Sequence, residues 1–132
     1  MSRRALGLLL VDHGSRRAEA NAQLDIVAGH LRALRPGALV AVAHMELAAP
    51  DIAQAVAALA AGGAEELVVL PYFLSDGRHL TEDIPRLVAA AAAGHPQLTV
   101  RIGRPLGPHP ALAALALERA GLDAVVVEPD GR

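Results

Sequence analysis

Leu67-Val68-Val69-Leu70-Pro71-Tyr72-Phe73-Leu74-Ser75-Asp76-Gly77-Arg78-His79-Leu80-Thr81-Glu82-Asp83-Ile84-Pro85 is the stretch whose reading decides the fold. Its first four residues are uniformly apolar, as expected of a strand buried on both faces of a parallel sheet. Its last three read as a helix start, with an Asp able to cap and a Pro tolerated in the first turn. The connection between them is longer than the usual two to roughly six residues. Long connections at the carboxyl end of a parallel strand are where open α/β sheets place ligands. The beginning of the chain repeats the arrangement, with Leu8-Leu9-Leu10-Val11 running straight into Asp12-His13-Gly14-Ser15. Two strand ends thus bring a histidine each, His13 and His79, to one edge of one sheet.

Working outward, apolar strands alternate with helical stripes along the whole chain. Ala5 to Val11 is the first strand, and Ser15 can cap a helix with Leu24, Val27, Leu31 and Leu34 on one stripe, closed by Pro36-Gly37. Leu39 to His44 is the second strand. Pro50 suits a first helical turn, Ile52, Val56 and Leu59 continue a stripe, and Gly62-Gly63 stops it. Glu66 to Leu70 is the third strand, and Ile84, Leu87, Val88 and Ala91 mark the third helix. Leu98 to Ile102 is a more polar strand suited to an edge. A helix with Leu112, Leu115 and Ala116 follows, and Ala124-Val125-Val126-Val127 reads as a short last strand. Strict β/α alternation with continuous apolar strands predicts an α/β fold: a small doubly wound parallel sheet with helices on both faces, flavodoxin-like. Residues 1–132 read as one domain.

Composition narrows the function. With 132 residues and a net charge of −2, nothing predicts nucleic acid or an anionic membrane as partner. There is no cysteine, which excludes thiolate metal sites, disulfides and cysteine nucleophiles. There is no lysine either, so no Schiff base can form and a ligand carboxylate must meet arginine or backbone N–H. Arg3-Arg4 precedes an apolar run that Asp12 interrupts, a strand rather than a signal peptide, and no run approaches the ~20 apolar residues of a membrane span. A soluble, cytoplasmic protein is expected.

Six histidines stand beside one Tyr and one Phe. His30 within a helix and His95 in a Gly-His-Pro turn read as surface residues. His44 at a strand end and His109 at a helix entrance lie on the same sheet edge as His13 and His79, as packed polar groups or as neighbours of a site. Imidazole ligates divalent transition metals when neutral and accepts a proton near neutral pH. Two histidines alone make an exchangeable site, unlike a structural zinc site with four protein ligands.

Taken together, Val11-Asp12-His13-Gly14-Ser15-Arg16, His44-Met45-Glu46-Leu47 with Pro50, the stretch from Pro71 to His79 with Asp83-Ile84-Pro85, and Arg104-Pro105-Leu106-Gly107 resemble the small, single-domain sirohydrochlorin chelatases, class II tetrapyrrole chelatases. The resemblance covers nearly the whole chain in order and spacing. It implies insertion of Co²⁺ or Fe²⁺, as a co-substrate rather than a tightly bound cofactor, into sirohydrochlorin on the way to cobalamin or siroheme. It implies that His13 is proton acceptor and metal ligand, that His79 is a metal ligand, and that Glu46 with Leu74, Ser75, Asp76, Gly77 and Arg78 contacts the tetrapyrrole. It also implies a homodimer, since longer relatives carry two such halves. No histidine-rich tract precedes the fourth strand, where some short relatives insert one.

The residue chemistry agrees. Metallation strips two pyrrole protons and needs a metal held loosely enough to leave, which suits imidazoles without thiolates. Helix amino ends at Ser15 and Asp83, with Arg16 and Arg78, could receive substrate carboxylates. Glu46 could orient an imidazole, hold a pyrrole N–H or bind metal. Two other functions remain compatible: a phosphoryl-transfer hydrolase built on His13-Gly14, and a metal- or tetrapyrrole-binding carrier without turnover.

Overall fold

The computed structural model describes residues 4–77 and 79–125, His79 through its backbone. Four parallel strands, β1 (Leu6–Asp12), β2 (Leu39–His44), β3 (Glu66–Pro71) and β4 (Thr99–Ile102), form one sheet in the order β2-β1-β3-β4. Between and after them run α1 (Ala18–Leu34), α2 (Ile52–Ala61), α3 (Ile84–Ala92) and α4 (Pro110–Arg119). Central β1 has five consecutive buried residues because both its faces are covered. Leu9 and Val11 pack with Leu67 and Val69 of β3 against Ile52, Val56 and Leu59 of α2 and Ile84 and Val88 of α3. On the opposite face Leu10 packs against Leu24 and Ala28 of α1, with Val27 and Leu31 partly covered. Full burial of such aliphatic side chains stabilises by ~2 kcal/mol each. The doubly wound parallel α/β class is therefore the observed one, with helices on both faces and every strand pointing its carboxyl end to one edge.

Several details differ from expectation, each for a local reason. Ser15 does not cap α1: its hydroxyl accepts the Arg17 N–H at 3.0 Å, and the Asn21 side chain spans its backbone at 2.9 and 2.8 Å, so the helix opens at Ala18 without a side-chain cap. Leu34 is exposed at the helix end, while Ala28 is buried. Pro50 sits just before the helix, and Asp51 is the true cap. Asp83 stands at the start of α3 with Pro85 in the first turn, as expected, but its side chain makes no cap. A π-helical turn, His79–Asp83, precedes the helix and leaves Asp83 in helical geometry, paired with Arg86 at 3.4 Å. Leu80 is buried in the core and draws that turn into the helix.

β4 does lie at an edge, with all four residues exposed. α4 buries none of its own residues, including the expected Leu112, Leu115 and Ala116. Ala124 and Val125 form no strand, and Val126 and Val127 lie outside the described residues.

Candidate metal and tetrapyrrole site

The carboxyl ends of β1 and β2 are joined beyond the sheet. Asp12 and His44, their last residues, face each other in register. The backbone then continues to pair, Met45 N–H donating to Asp12 O at 2.9 Å and Glu46 N–H to His13 O at 3.1 Å. Gly14, with φ +95°, lies so close to the Glu46 carbonyl that a methyl group on it would overlap that oxygen. A glycine after His13 is thus required both by backbone conformation and by space. Leu47, also at positive φ, then turns the chain away toward α2.

This zipper brings His13 and Glu46 together. His13 Nε2 lies 3.0 Å from Glu46 Oε1 as an ion-pair contact, with the two side chains 52% and 58% exposed. The His13 Nδ1 side lies 3.4 Å from the Gly14 carbonyl. An imidazole nitrogen and a carboxylate oxygen facing each other in open solvent present two donors that suit a divalent cation. They line a cleft of about 250 Å³ with Met45, Asp83, Arg86 and Leu87. Arg86 has no counterpart among the sequence candidates. Its position on α3 toward β2 follows from sheet order, which linear spacing does not reveal.

Among the other candidates, the backbone of His79 opens the π-helical turn, where Leu80 and Thr81 N–H both donate to the Gly77 carbonyl at 3.0 and 3.1 Å. Leu74, Ser75, Asp76 and Gly77 form an exposed loop ahead of it. The loop is pinned at its root by Tyr72 N–H to Val11 O at 2.7 Å and Leu106 N–H to Phe73 O at 2.8 Å. Arg78 lies outside the described residues. Asp76 borders a second cleft with Arg104 and His109, separate from the one at His13. His109 caps α4, its Nδ1 accepting the Ala111 N–H at 3.0 Å. His30 is exposed and His95 partly so. Among the described residues no three His, Asp or Glu side chains cluster as a ready metal cage.

The amino end of α1 carries an acid of its own. Glu19 stands in the first turn of α1, its carboxyl held below the usual range by a hydrogen bond from its own backbone N–H and then by Arg17. At the start of α3 the Asp83 carboxylate makes no cap and pairs with Arg86 at 3.4 Å. Anions would meet exposed arginine instead, Arg86 within the cleft and Arg16 near it in sequence.

An open parallel α/β domain with a histidine–carboxylate pair at adjacent strand ends defines a class of small ligand-handling domains with a solvent-open site. The CbiX family pattern matches residues 7–121, and the chain belongs to that family. A protein of Arabidopsis thaliana named chloroplastic sirohydrochlorin ferrochelatase is 41% identical over 113 residues, covering 86% of this chain and 50% of the relative. The sirohydrochlorin cobaltochelatase of Methanococcoides burtonii is 29% identical over 123 residues, covering 87% of this chain and 94% of the relative. A crystal structure of a CbiX protein from Marinobacter aquaeolei superposes with a TM-score of 0.72 at 31% identity, over 88% of this chain and 93% of that one. The chain therefore spans half the length of the plant relative and nearly all of the two microbial ones.

Proposed function

We propose that this chain is a sirohydrochlorin chelatase, a lyase-class enzyme that inserts Co²⁺ or Fe²⁺ into sirohydrochlorin for cobalamin or siroheme. The observation that carries the reading is the exposed His13–Glu46 pair at the joined ends of β1 and β2, in a CbiX-family domain. The reaction exchanges two pyrrole N–H protons for one M²⁺, so the site needs proton acceptors beside metal donors and must release both products. His13 is the proton acceptor and a metal ligand; His79, delivered by the β3 loop, is the other ligand. Glu46 and the loop from Leu74 through Ser75, Asp76 and Gly77 to Arg78 hold the tetrapyrrole, and Arg86 meets a peripheral carboxylate. The metal is a substrate, and two imidazoles without thiolates hold it loosely enough to pass on.

The cleft at His13 is smaller than the ~300–1,000 Å³ typical of sites enclosing drug-sized ligands. A polycarboxylate macrocycle is larger still, so a second copy of the chain completes the enclosure. No described helix is long and apolar enough to cross a membrane, and the enzyme works in the cytoplasm. A phosphoryl-transfer role for His13-Gly14 fits poorly, because the Glu46 carboxylate at 3.0 Å would repel a phosphate.

Incubation with sirohydrochlorin and Co²⁺, followed by absorbance, tests the reading. Catalytic turnover is expected. Stoichiometric binding without turnover would make the chain a carrier. His13→Ala and His79→Ala should each remove most activity while remaining folded, and their losses should not add, because two residues holding one ion act as a unit. Near-parental rates in either variant would overturn its assigned role.

A further inference from the structure

Behind the exposed pair lies a second one that the metallation chemistry does not use. Among the described residues His44 is the only polar side chain in the buried class, at 3% exposure. Its Nδ1–H donates to Asp12 Oδ1 at 2.6 Å. Burying an imidazole is unfavourable unless its N–H is satisfied, and an aliphatic side chain would fill the same volume without that requirement. What the pair adds over an apolar contact is direction, since a short charge-assisted hydrogen bond fixes both separation and angle.

The location gives that direction a use. Asp12 immediately precedes His13, and His44 lies two residues before Glu46. The two bridges run in series along the same seam, 2.6 Å in the interior and 3.0 Å at the surface, with the Met45 and Glu46 backbone bonds between them. His44 is also anchored on its other side, its backbone N–H donating to the Pro50 carbonyl at 2.9 Å across the turn that carries Glu46. Any splaying of the β1 and β2 ends would break the interior bridge first and then separate His13 from Glu46.

We propose that Asp12 and His44 form a positioning pair that sets the separation of His13 and Glu46 during metal insertion. The proposal rests on the chelatase reading for its effect on rate, but the geometric part stands without it. His44→Leu removes the donor and keeps the volume apolar. His44→Asn keeps a donor, because its amide nitrogen takes the place of Nδ1. Rates of Co²⁺ insertion at saturating metal should show kcat reduced on the order of 10- to 100-fold in His44→Leu. Most of kcat should return in His44→Asn. In a Glu46→Gln background, His44→Leu should cost little more, since the group it positions is already lost.

A merely structural role would give equal losses in the Leu and Asn variants, or losses that add to Glu46→Gln; either result overturns the proposal. Should His44→Leu fail to fold, Asp12→Ala at the partly exposed strand end provides the same comparison. A second readout is independent of turnover. The His13 ring signals in a long-range ¹H–¹⁵N spectrum should be one narrow set in the parent, broadened in His44→Leu and narrow again in His44→Asn. Unchanged His13 signals in His44→Leu would sink the pair's role. The expected signals in a chain that does not metallate sirohydrochlorin would leave the pair standing and remove the chelatase reading instead.

Discussion

Glu46 is the residue on which the proposed chemistry turns, because its carboxylate faces His13 across 3.0 Å in a place open to solvent. Glu46→Gln retains an oxygen to accept from His13 but loses the charge that favours a cation. Turnover should fall on the order of 10- to 100-fold, with a smaller loss in Co²⁺ binding measured by titration. Equal losses would make Glu46 a primary ligand, and an unaffected rate would remove it from the site. His13 was legible in the sequence because it follows an apolar strand, and Glu46 through the family resemblance of His44-Met45-Glu46-Leu47. Their contact was not, and neither was any role for Asp12. Asp12 and His44 meet only because β1 and β2 are neighbours in register, a relation between residues 32 positions apart. No local periodicity encodes it.

At the scale of elements, strands were the easier reading, and helix starts the harder one. Uninterrupted apolar runs in Leu39–His44 and Glu66–Leu70 leave little ambiguity, since each must be covered on both faces. The start of a helix depends on which of several polar side chains wins the free N–H groups. Ser15 loses to the Asn21 bridge and Asp83 to the preceding π-helical turn, whereas Asp51 wins outright. Asp51 accepts the Gln54 N–H at 2.8 Å, and the Gln54 side chain accepts the Asp51 N–H at 2.9 Å. Asp51→Ala should therefore destabilise the protein by about 1 kcal/mol, seen as a lower urea midpoint at unchanged slope. A variant of parental midpoint would show that the capping box contributes nothing in this setting.

For the molecule as a whole, class and strand direction followed from alternation alone, but the uncovered parts did not. β4 and α4 bury none of their residues, although Val100, Ile102, Leu115 and Leu117 are apolar. A sequence stripe declares that a face is apolar, not what covers it. We expect a homodimer whose interface borders the cleft at the strand ends. Sedimentation showing a fully active monomer at working concentrations would defeat that expectation. The openness of the His13–Glu46 pair has one more consequence, for selectivity among metals. Imidazole nitrogens beside a half-exposed carboxylate, open to water, impose no fixed geometry on an ion, and the chain offers no cysteine sulfur. Such donors follow the Irving–Williams order, in which Cu²⁺ outcompetes both Co²⁺ and Fe²⁺. With the metal held as proposed, the protein does not choose its ion by affinity; the choice passes to whatever free metal the surrounding cell supplies.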